Sequence, residues 1–471
     1  MTLPPQPALS VVILAAGQGT RMKSTRPKVL QRLGGQALLT RVMRTAQALN
    51  ARQCIGVVGH LAEQVEAAMR AEGFGAEQLQ FVVQSPQLGT GHAVQQAAPL
   101  LSSEGVTLIL SGDVPLTRAE TLSDLVALAD ADTLALLTVD HPEPSGYGRI
   151  VRDAQDDILA IVEHKDANAA QRAIGEIYSG IMAVPSARLL DWLQRLDSDN
   201  AQNEYYLTDI VRFAAEDGVR IKGLRIDDPV QVEGVNSPQQ LAALERAWQH
   251  AQAQALMAAG VRLADPARID IRGHLRCGQD VEIDINCVFE GEVVLGDQVR
   301  IGAHCVLRNC HIEEGAVIHP FTHIDGDTTG VRVGARSLIG PYARLRPGAQ
   351  LGQEVHVGNF VEIKNSQLAD GAKANHLAYL GDAVVGERVN YGAGSITANY
   401  DGANKHRTTI EADVHVGSNC VLVAPVHIGA GGTVGAGSTV TKDTPAGALT
   451  VTRAKQIHIA DWARPVKKAK R

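Results

Sequence analysis

Aromatic side chains are scarce in this chain: Phe, Trp and Tyr together make up 4% of its 471 residues. That composition suits a narrow interior lined by Val, Ile and Leu better than a core built around rings. No stretch of 18 apolar residues occurs, so no membrane span is expected. The six cysteines, Cys54, Cys277, Cys287, Cys305, Cys310 and Cys420, form no CxxC pair. Reduced thiols packed in cores are expected, in preference to disulfides or a metal cluster. Net charge is only −7, which gives no global argument for a nucleic-acid partner. The early apolar run VVILAAG has no basic region ahead of it and is too short for a signal peptide, so a cytoplasmic protein is expected.

What the chain does have is a beat of six. Aliphatic or aromatic residues fall at Ile283, Phe289, Leu295, Ile301 and Leu307, then at Val333, Ile339, Leu345, Leu351, Val357 and Ile363. The beat returns at Val416, Leu422, Ile428, Val434 and Val440, and glycine follows the aliphatic residue in many hexads, as at Gly296, Gly334 and Gly417. An α-helix has a period of 3.6 and a half-buried strand a period of two, so neither explains it. One short strand plus one tight turn does, and three such hexads close a triangular coil. Stacked coils pair in parallel and align the aliphatic residues inside, giving a left-handed parallel β-helix of hexapeptide repeats.

The first half reads differently. VVILAA (from Val11), IGVVG (from Ile55), FVVQ (from Phe81) and TLILSGD (from Thr107) are buried-strand candidates. Helical patterns such as LLTRVMRTAQAL and TGHAVQQAAPLL separate them, which argues a doubly wound, Rossmann-like α/β sheet. Ligands of such sheets gather beyond the carboxyl ends of the strands. From Ser237 a long helix begins with Ser-Pro and stops at Gly260. The expected organisation is an α/β domain over residues 1–236, a linker helix over 237–262, the β-helix over 263–450 and a basic tail over 451–471. The tail ends ARPVKKAKR and reads as a solvated end. Between Gly392 and Val416 the six-residue beat breaks, which predicts a loop standing out from the solenoid.

Residues 14–30 read LAAGQGTRMKSTRPKVL, a strand entering a Gly-rich turn followed by Arg21 and Lys28. Glycines let a backbone approach phosphate oxygens, and two cations can neutralise a triphosphate. The spacing is neither GxGxxG nor a P-loop, and a lone GxG among 46 glycines says little. Asp113 follows a buried strand at the ligand edge, where a carboxylate suits Mg²⁺ or equally caps a turn.

In order along the chain, LAAGQGTRMKSTRPKVL, QSPQLGTGHA (from Gln84), SGDVP, GYGRI (from Gly146), VEHKDA (from Val162) and VEGVN (from Val232) resemble a sugar-nucleotide pyrophosphorylase. With the hexads, nearly the whole chain resembles the bacterial family of bifunctional N-acetylglucosamine-1-phosphate uridyltransferases and glucosamine-1-phosphate acetyltransferases. The resemblance implies that Leu14, Ala15, Ala16 and Gly17 carry base and ribose, and that Gln84, Gly89 and Thr90 read uracil. It makes Arg21 and Lys28 the catalytic cations, with Ser111, Gly112 and Asp113 lining the site. Asp113 and Asn236 would bind Mg²⁺, and Gly148 and Glu163 the sugar. The nucleophile is the incoming phosphate, so positioning and charge neutralisation are the protein's task. The chain departs from the pattern at Tyr178, where many relatives have Asn.

In the β-helix, YARLRPGA, VGNFVEIKN, KANHLAYLGD, VNYGAGSITANYDG and NKHRTT interrupt a small, aliphatic surface. Arg346 and Lys364 stand directly after the beat residue, where glycine is common, and two cations near a His and a Tyr suggest a phosphorylated ligand. By resemblance NHLAYLGD holds the general base, His376, which would take a proton from a sugar amine attacking a thioester. An imidazole titrates close enough to neutrality to do so. The resemblance further gives Arg346, Lys364, Tyr379 and Asn390 to glucosamine-1-phosphate, and Ala393, Asn399, Tyr400, Ser418, Ala436 and Arg453 to acetyl-CoA.

The function implied is acetyl transfer from acetyl-CoA to glucosamine-1-phosphate, then coupling of N-acetylglucosamine-1-phosphate to UTP with release of pyrophosphate, in a homotrimer. Two rivals stand beside it. In one, the β-helix is a non-catalytic scaffold, which His376 and its neighbouring cations argue against. In the other it holds zinc through His304, His311, His319 and His323, whose spacing is irregular.

Overall fold

Val11, Val12 and Ile13 form an unbroken apolar run, which only a strand covered on both faces can hide. In the computed structural model, which describes residues 8–467, all three are fully buried. They lie in the strand Leu9–Ala15, whose side chains alternate between two apolar clusters: Val11, Ile13 and Ala15 join one, Val12 the other. This strand pairs in parallel with Gln53–Val58 on one side and Val106–Ser111 on the other. Gln80–Val83 extends the first edge. Beyond Val106–Ser111 the long strand Glu176–Pro185 runs antiparallel, then Thr133–Asp140, then Arg220–Ile226. A hairpin of Arg149–Arg152 and Ile158–Val162 attaches to Glu176–Pro185. The sheet is thus α/β and doubly wound with one antiparallel insertion, and helices such as Leu38–Ala48 and Thr90–Ala97 cover it.

The hexad half folds as its beat dictates. Strands of mostly two or three residues recur from Arg262–Leu263 to Leu449–Thr450. Each beat residue pairs with the one three hexads on: Ile283 with Ile301, Ile339 with Val357, Leu345 with Ile363, Val416 with Val434. Every residue of the beat belongs to one continuous buried cluster. This is the left-handed hexapeptide β-helix. Tight corners place several non-glycine residues in the left-handed backbone region, among them Phe321, Tyr342 and Phe360. Leu345 is fully buried between Ile324 and Ile363. Leu345→Ala is expected to destabilise the solenoid by about 2–5 kcal/mol, because neighbouring coils cannot collapse onto the cavity. A lower midpoint in denaturant-induced unfolding of the β-helix checks this.

The chain divides into two compact units, Met1–Gln249 and His250–Arg471, and the boundary falls inside the helix Pro238–Ala258. Leu244 packs within the first unit, Ala253 within the second. The broken beat between Gly392 and Val416 is a loop, with Tyr400 bridging Lys405 across its base. After Thr450 the described residues run exposed to 467, and the last four residues of the basic tail lie outside the described residues. All six cysteines are free, and burial pushes the Cys54 thiol up to about 11 and Cys305 up to about 12. Such thiols are packing groups and not nucleophiles. Among the described residues no helix is long and apolar enough to cross a membrane.

Candidate active sites

In the first unit, the neighbouring parallel strands Leu9–Ala15 and Val106–Ser111 end side by side, with Leu14 opposite Ser111. The Gly112 N–H donates to the Leu14 carbonyl at 2.8 Å, drawing the two strand ends together. The turn after Ala16 carries Gly19 at φ +63, where a Cβ would stand 2.7 Å from the Lys28 Cβ. Glycine there is what lets Lys28 reach back over the turn. The Lys28 ammonium donates to Asp113 Oδ2 at 2.5 Å and to Asn236 Oδ1 at 3.0 Å. Asn236 arrives because the Val235 N–H binds the Asp113 carbonyl at 2.9 Å.

Two oxygens, one anionic, therefore converge on a cation. Among the described residues no three His, Cys, Asp or Glu side chains gather into a metal-binding group. A pair of oxygens fits Mg²⁺, which completes its shell with water and substrate phosphates, better than an all-protein cage. His304, a candidate in the zinc reading, instead stacks on Phe321 at 4.8 Å between ring centres.

Gln84 is buried, and its amide nitrogen donates to the Gly89 carbonyl at 2.8 Å. Gly89 sits at φ +107, where a Cβ would meet the Tyr205 carbonyl at 2.7 Å. The Thr90 hydroxyl accepts from the Leu207 N–H at 3.2 Å, so Gln84, Gly89 and Thr90 form one ordered wall. Gln87 joins that wall to the Gly-rich turn through the Ala16 carbonyl. Gly148 and Glu163 are also together: a Cβ on Gly148 would lie 3.7 Å from a Glu163 oxygen. Glu163 borders a cavity of about 390 Å³ with Asp166, Tyr206 and Thr208. Burial, with the charges of Asp166, Asp209 and Glu204, pushes its carboxyl up; the Thr208 hydroxyl, 3.1 Å away, opposes this. Arg21 is exposed on the turn Thr20–Met22 and forms no hydrogen bond or ion pair with Lys28 or Asp113 among the described residues.

In the second unit, Arg344–Leu345 and Glu362–Lys364 pair on adjacent coils, bringing Arg346 and Lys364 to one edge. Arg346 donates to Glu362 at 2.8 Å, and Glu362 pairs in register with Tyr379. Gly381 leaves the space that the Tyr379 hydroxyl occupies. Lys405, from the protruding loop, comes within hydrogen-bonding reach of Lys364 and pushes that ammonium down, with burial and the charge of Arg346 adding to the effect. Glu362 pairs with Arg346 and the charge of Asp382 opposes the shift at Lys364, so the edge carries three cations with two carboxylates about them. The loop is held by Asp401, which accepts from the Asn404 and Ala403 N–H groups at 2.6 and 2.8 Å and pairs with His406. The Asn404 bond above all keeps this carboxyl well below the usual carboxylate range.

His376 is exposed, and its Nδ1 lies 2.9 Å from Asn359 Oδ1 on the coil before. With Nδ1–H donating there, Nε2 keeps its lone pair toward solvent. From His376 a column climbs the solenoid. Gly394 N–H binds the His376 carbonyl, Asn419 N–H that of Ala393, and Gly437 N–H that of Ser418. Arg453 then donates to the Ala436 carbonyl at 2.7 Å. Three coil steps of about 4.8 Å, with the Arg453 side chain closing the end, make a track roughly 14 Å long. Asn390 is exposed; Asn399 is buried and gives its amide to Asp382, while Tyr400 is exposed beside it.

The MobA-like NTP transferase domain family matches residues 11–205, and the bacterial transferase hexapeptide family matches 274–309 and 407–442. The chain is 65% identical to the "Bifunctional protein GlmU" of Acidovorax sp. (strain JS42), over 98% of this chain and 99% of that one. It belongs to the bifunctional GlmU family. The GlmU protein of Polaromonas naphthalenivorans (strain CJ2) is 67% identical over 98% of each chain. That of Nitrosospira multiformis (strain ATCC 25196 / NCIMB 11849 / C 71) is 55% identical over 98% and 99%. As a GlmU family member the chain is a bifunctional transferase, with uridyltransferase and acetyltransferase activities in UDP-N-acetylglucosamine synthesis.

Sequence reasoning assigns no role to Lys405 or Asn359. Lys405 lies in the singled-out segment NKHRTT, but only the folded loop brings it to Lys364. Asn359 was open to discovery: its strand His356–Asn359 pairs one coil ahead of Lys373–His376, with Asn359 opposite His376.

Proposed function

We propose that His376, Lys405 and the neighbouring residues acetylate glucosamine-1-phosphate from acetyl-CoA, and that the Lys28–Asp113–Asn236 cluster then serves transfer of uridylyl from UTP to the product. What carries this reading is the pairing of an oriented imidazole with three convergent cations in one unit and a two-oxygen cation site in the other.

In acetyl transfer, Arg346, Lys364 and Lys405 hold the sugar phosphate, with Tyr379 and Asn390 beside it. His376 Nε2 accepts the proton of the amine as the nitrogen attacks the thioester carbonyl, and passes it to the departing thiolate. Ala393, Ser418, Ala436 and Arg453 offer the extended CoA its track, with Arg453 on a phosphate; Asn399 braces the loop that carries Tyr400.

In uridylyl transfer, residues 14–17 and the Gln84–Gly89–Thr90 wall hold the nucleoside, and Gly148 and Glu163 face the sugar. The sugar phosphate attacks the α-phosphorus and pyrophosphate leaves, while Lys28 and Arg21 neutralise charge. Mg²⁺ held by Asp113 and Asn236 supplies Lewis-acid neutralisation of the phosphates when bound. A cytoplasmic homotrimer is part of the same reading. Its support is an exposed corner ladder in which His304, Phe321, Tyr342 and Phe360 stack coil upon coil, apolar surface that a second copy would cover.

The deciding experiment is a mass-resolved product assay with glucosamine-1-phosphate, acetyl-CoA, UTP and Mg²⁺, each omitted in turn. UDP-N-acetylglucosamine is expected only with all four. If it forms only from supplied N-acetylglucosamine-1-phosphate, the β-helix is a scaffold. Lys405→Ala is expected to raise KM for glucosamine-1-phosphate about 10–100-fold, the effect of losing one charge-assisted bond, with little change in KM for acetyl-CoA. Steady-state kinetics with each substrate varied checks it.

A further inference from the structure

The loop that breaks the six-residue beat carries Lys405, which reaches Lys364, and Tyr400, assigned above to acetyl-CoA. It is closed at its base: Tyr400 bridges Lys405, and the His406 N–H donates to the Asn399 carbonyl at 2.8 Å. A hairpin closed in this way moves as one piece unless its root is fixed. Asp382 fixes it. Asn399, where the loop departs, gives its side-chain amide to one oxygen of the Asp382 carboxylate. Thr408, which opens the strand after the loop, gives its N–H to the Asp382 carbonyl at 3.2 Å. The second carboxylate oxygen accepts from the Asn365 amide, and the Asp382 N–H donates to the Lys364 carbonyl at 3.1 Å. Asp382, Asn399 and Thr408 are all buried. Asp382 turns its corner at φ +51, a conformation that Asp and Asn adopt more readily than other side chains. Of those two, only Asp accepts from two amide donors at once, since Asn spends half its side chain as a donor. Its charge also counters, at Lys364, the effect of Lys405.

We infer that Asp382 is a positioning residue for acetyl transfer: it clasps both ends of the loop and so sets Lys405 and Tyr400 against the two substrates together. The inference rests on the assignment of Lys364 and Lys405 to the sugar phosphate and of Tyr400 to acetyl-CoA. In this role the carboxylate touches neither substrate. It acts through Asn399 on Tyr400, the next residue along, and through Asn399 and Thr408 on Lys405, across the hairpin. A loop freed at its root swings as a unit, so both contacts weaken when the clasp is cut.

The test follows acetyl transfer by the full chain, each substrate varied in turn, in Asp382→Asn, in Lys405→Ala and in the double variant. Asp382→Asn keeps the corner's backbone preference and removes one of the two acceptors. It is expected to raise KM for glucosamine-1-phosphate and KM for acetyl-CoA alike, each about 5–10-fold, the scale of one lost hydrogen bond. Lys405→Ala raises the first alone. In the double variant KM for glucosamine-1-phosphate is expected to equal that of Lys405→Ala, because the two changes act along one route, while KM for acetyl-CoA stays raised. An additive rise overturns the inference. So do unchanged KM values in Asp382→Asn, even with a lowered thermal midpoint, which would leave Asp382 a structural brace only. Should Asp382→Asn fail to fold, Asn399→Ala removes the loop-side partner by itself; a raised KM for glucosamine-1-phosphate is expected there, and an unchanged one overturns the inference. If Lys405→Ala leaves that KM untouched, the cationic edge is not the seat of the phosphate, and that reading falls together with this one.

Discussion

His376→Ala should slow acetyl transfer by about 10²–10⁴-fold while uridylyl transfer from supplied N-acetylglucosamine-1-phosphate continues at its normal rate. A glucosamine amine is protonated for much of the time near neutrality and attacks only after losing its proton. In the β-helix the imidazole positioned for this is His376, oriented by Asn359 at 2.9 Å and standing at the foot of the track that ends at Arg453. The replaced side chain is exposed, so the variant keeps the solenoid's buried ladder. CoA release followed in real time gives the first rate, and pyrophosphate release the second. Unchanged CoA release in the variant would remove His376 from the mechanism. Loss of both activities in a folded variant would contradict two independent sites.

Asp113→Ala should have the opposite pattern, with UDP-sugar formation falling about 10²–10³-fold or more and acetyl transfer intact. The carboxylate is one of two oxygens on which a cation converges, and the Lys28 ammonium rests on it at 2.5 Å. On the reading proposed above, its removal takes away the charge that would hold Mg²⁺ and also the group on which Lys28 rests. Because both effects oppose the build-up of negative charge at phosphorus, the loss should appear in kcat and persist at saturating UTP. Pyrophosphate release at raised Mg²⁺ separates the two, since partial rescue by metal marks the weakened ligand. Full activity at ordinary Mg²⁺ would sink the assignment of Asp113.

The β-helix was legible because its cause is local. One hexad holds one strand and one corner, and the residue that points inward is fixed by position alone, so Leu345 is buried wherever its coil lies in the stack. The strand Leu9–Ala15 was legible for a related reason, since an unbroken run such as Val11 to Ile13 has no exposed face to give. The turn that brings Lys28 to Asp113 was legible as a place where glycine and cations share one segment, at Gly19 and Lys28. Lys405 was not, because its segment lies outside the beat and gains meaning only from the repulsion it meets at Lys364.

From its sequence alone the chain thus determines its two architectures and its family's chemistry, because periodicity and short motifs are properties of neighbours along the backbone. Tertiary structure alone decided that Lys28 rests on Asp113 and Asn236, that Asn359 lies against His376, that Lys405 comes close to Lys364, and that the Tyr178 hydroxyl has no partner among the described residues. Each depends on which atoms distant segments bring within about 3 Å of one another, the range over which a hydrogen bond is made or left unmade.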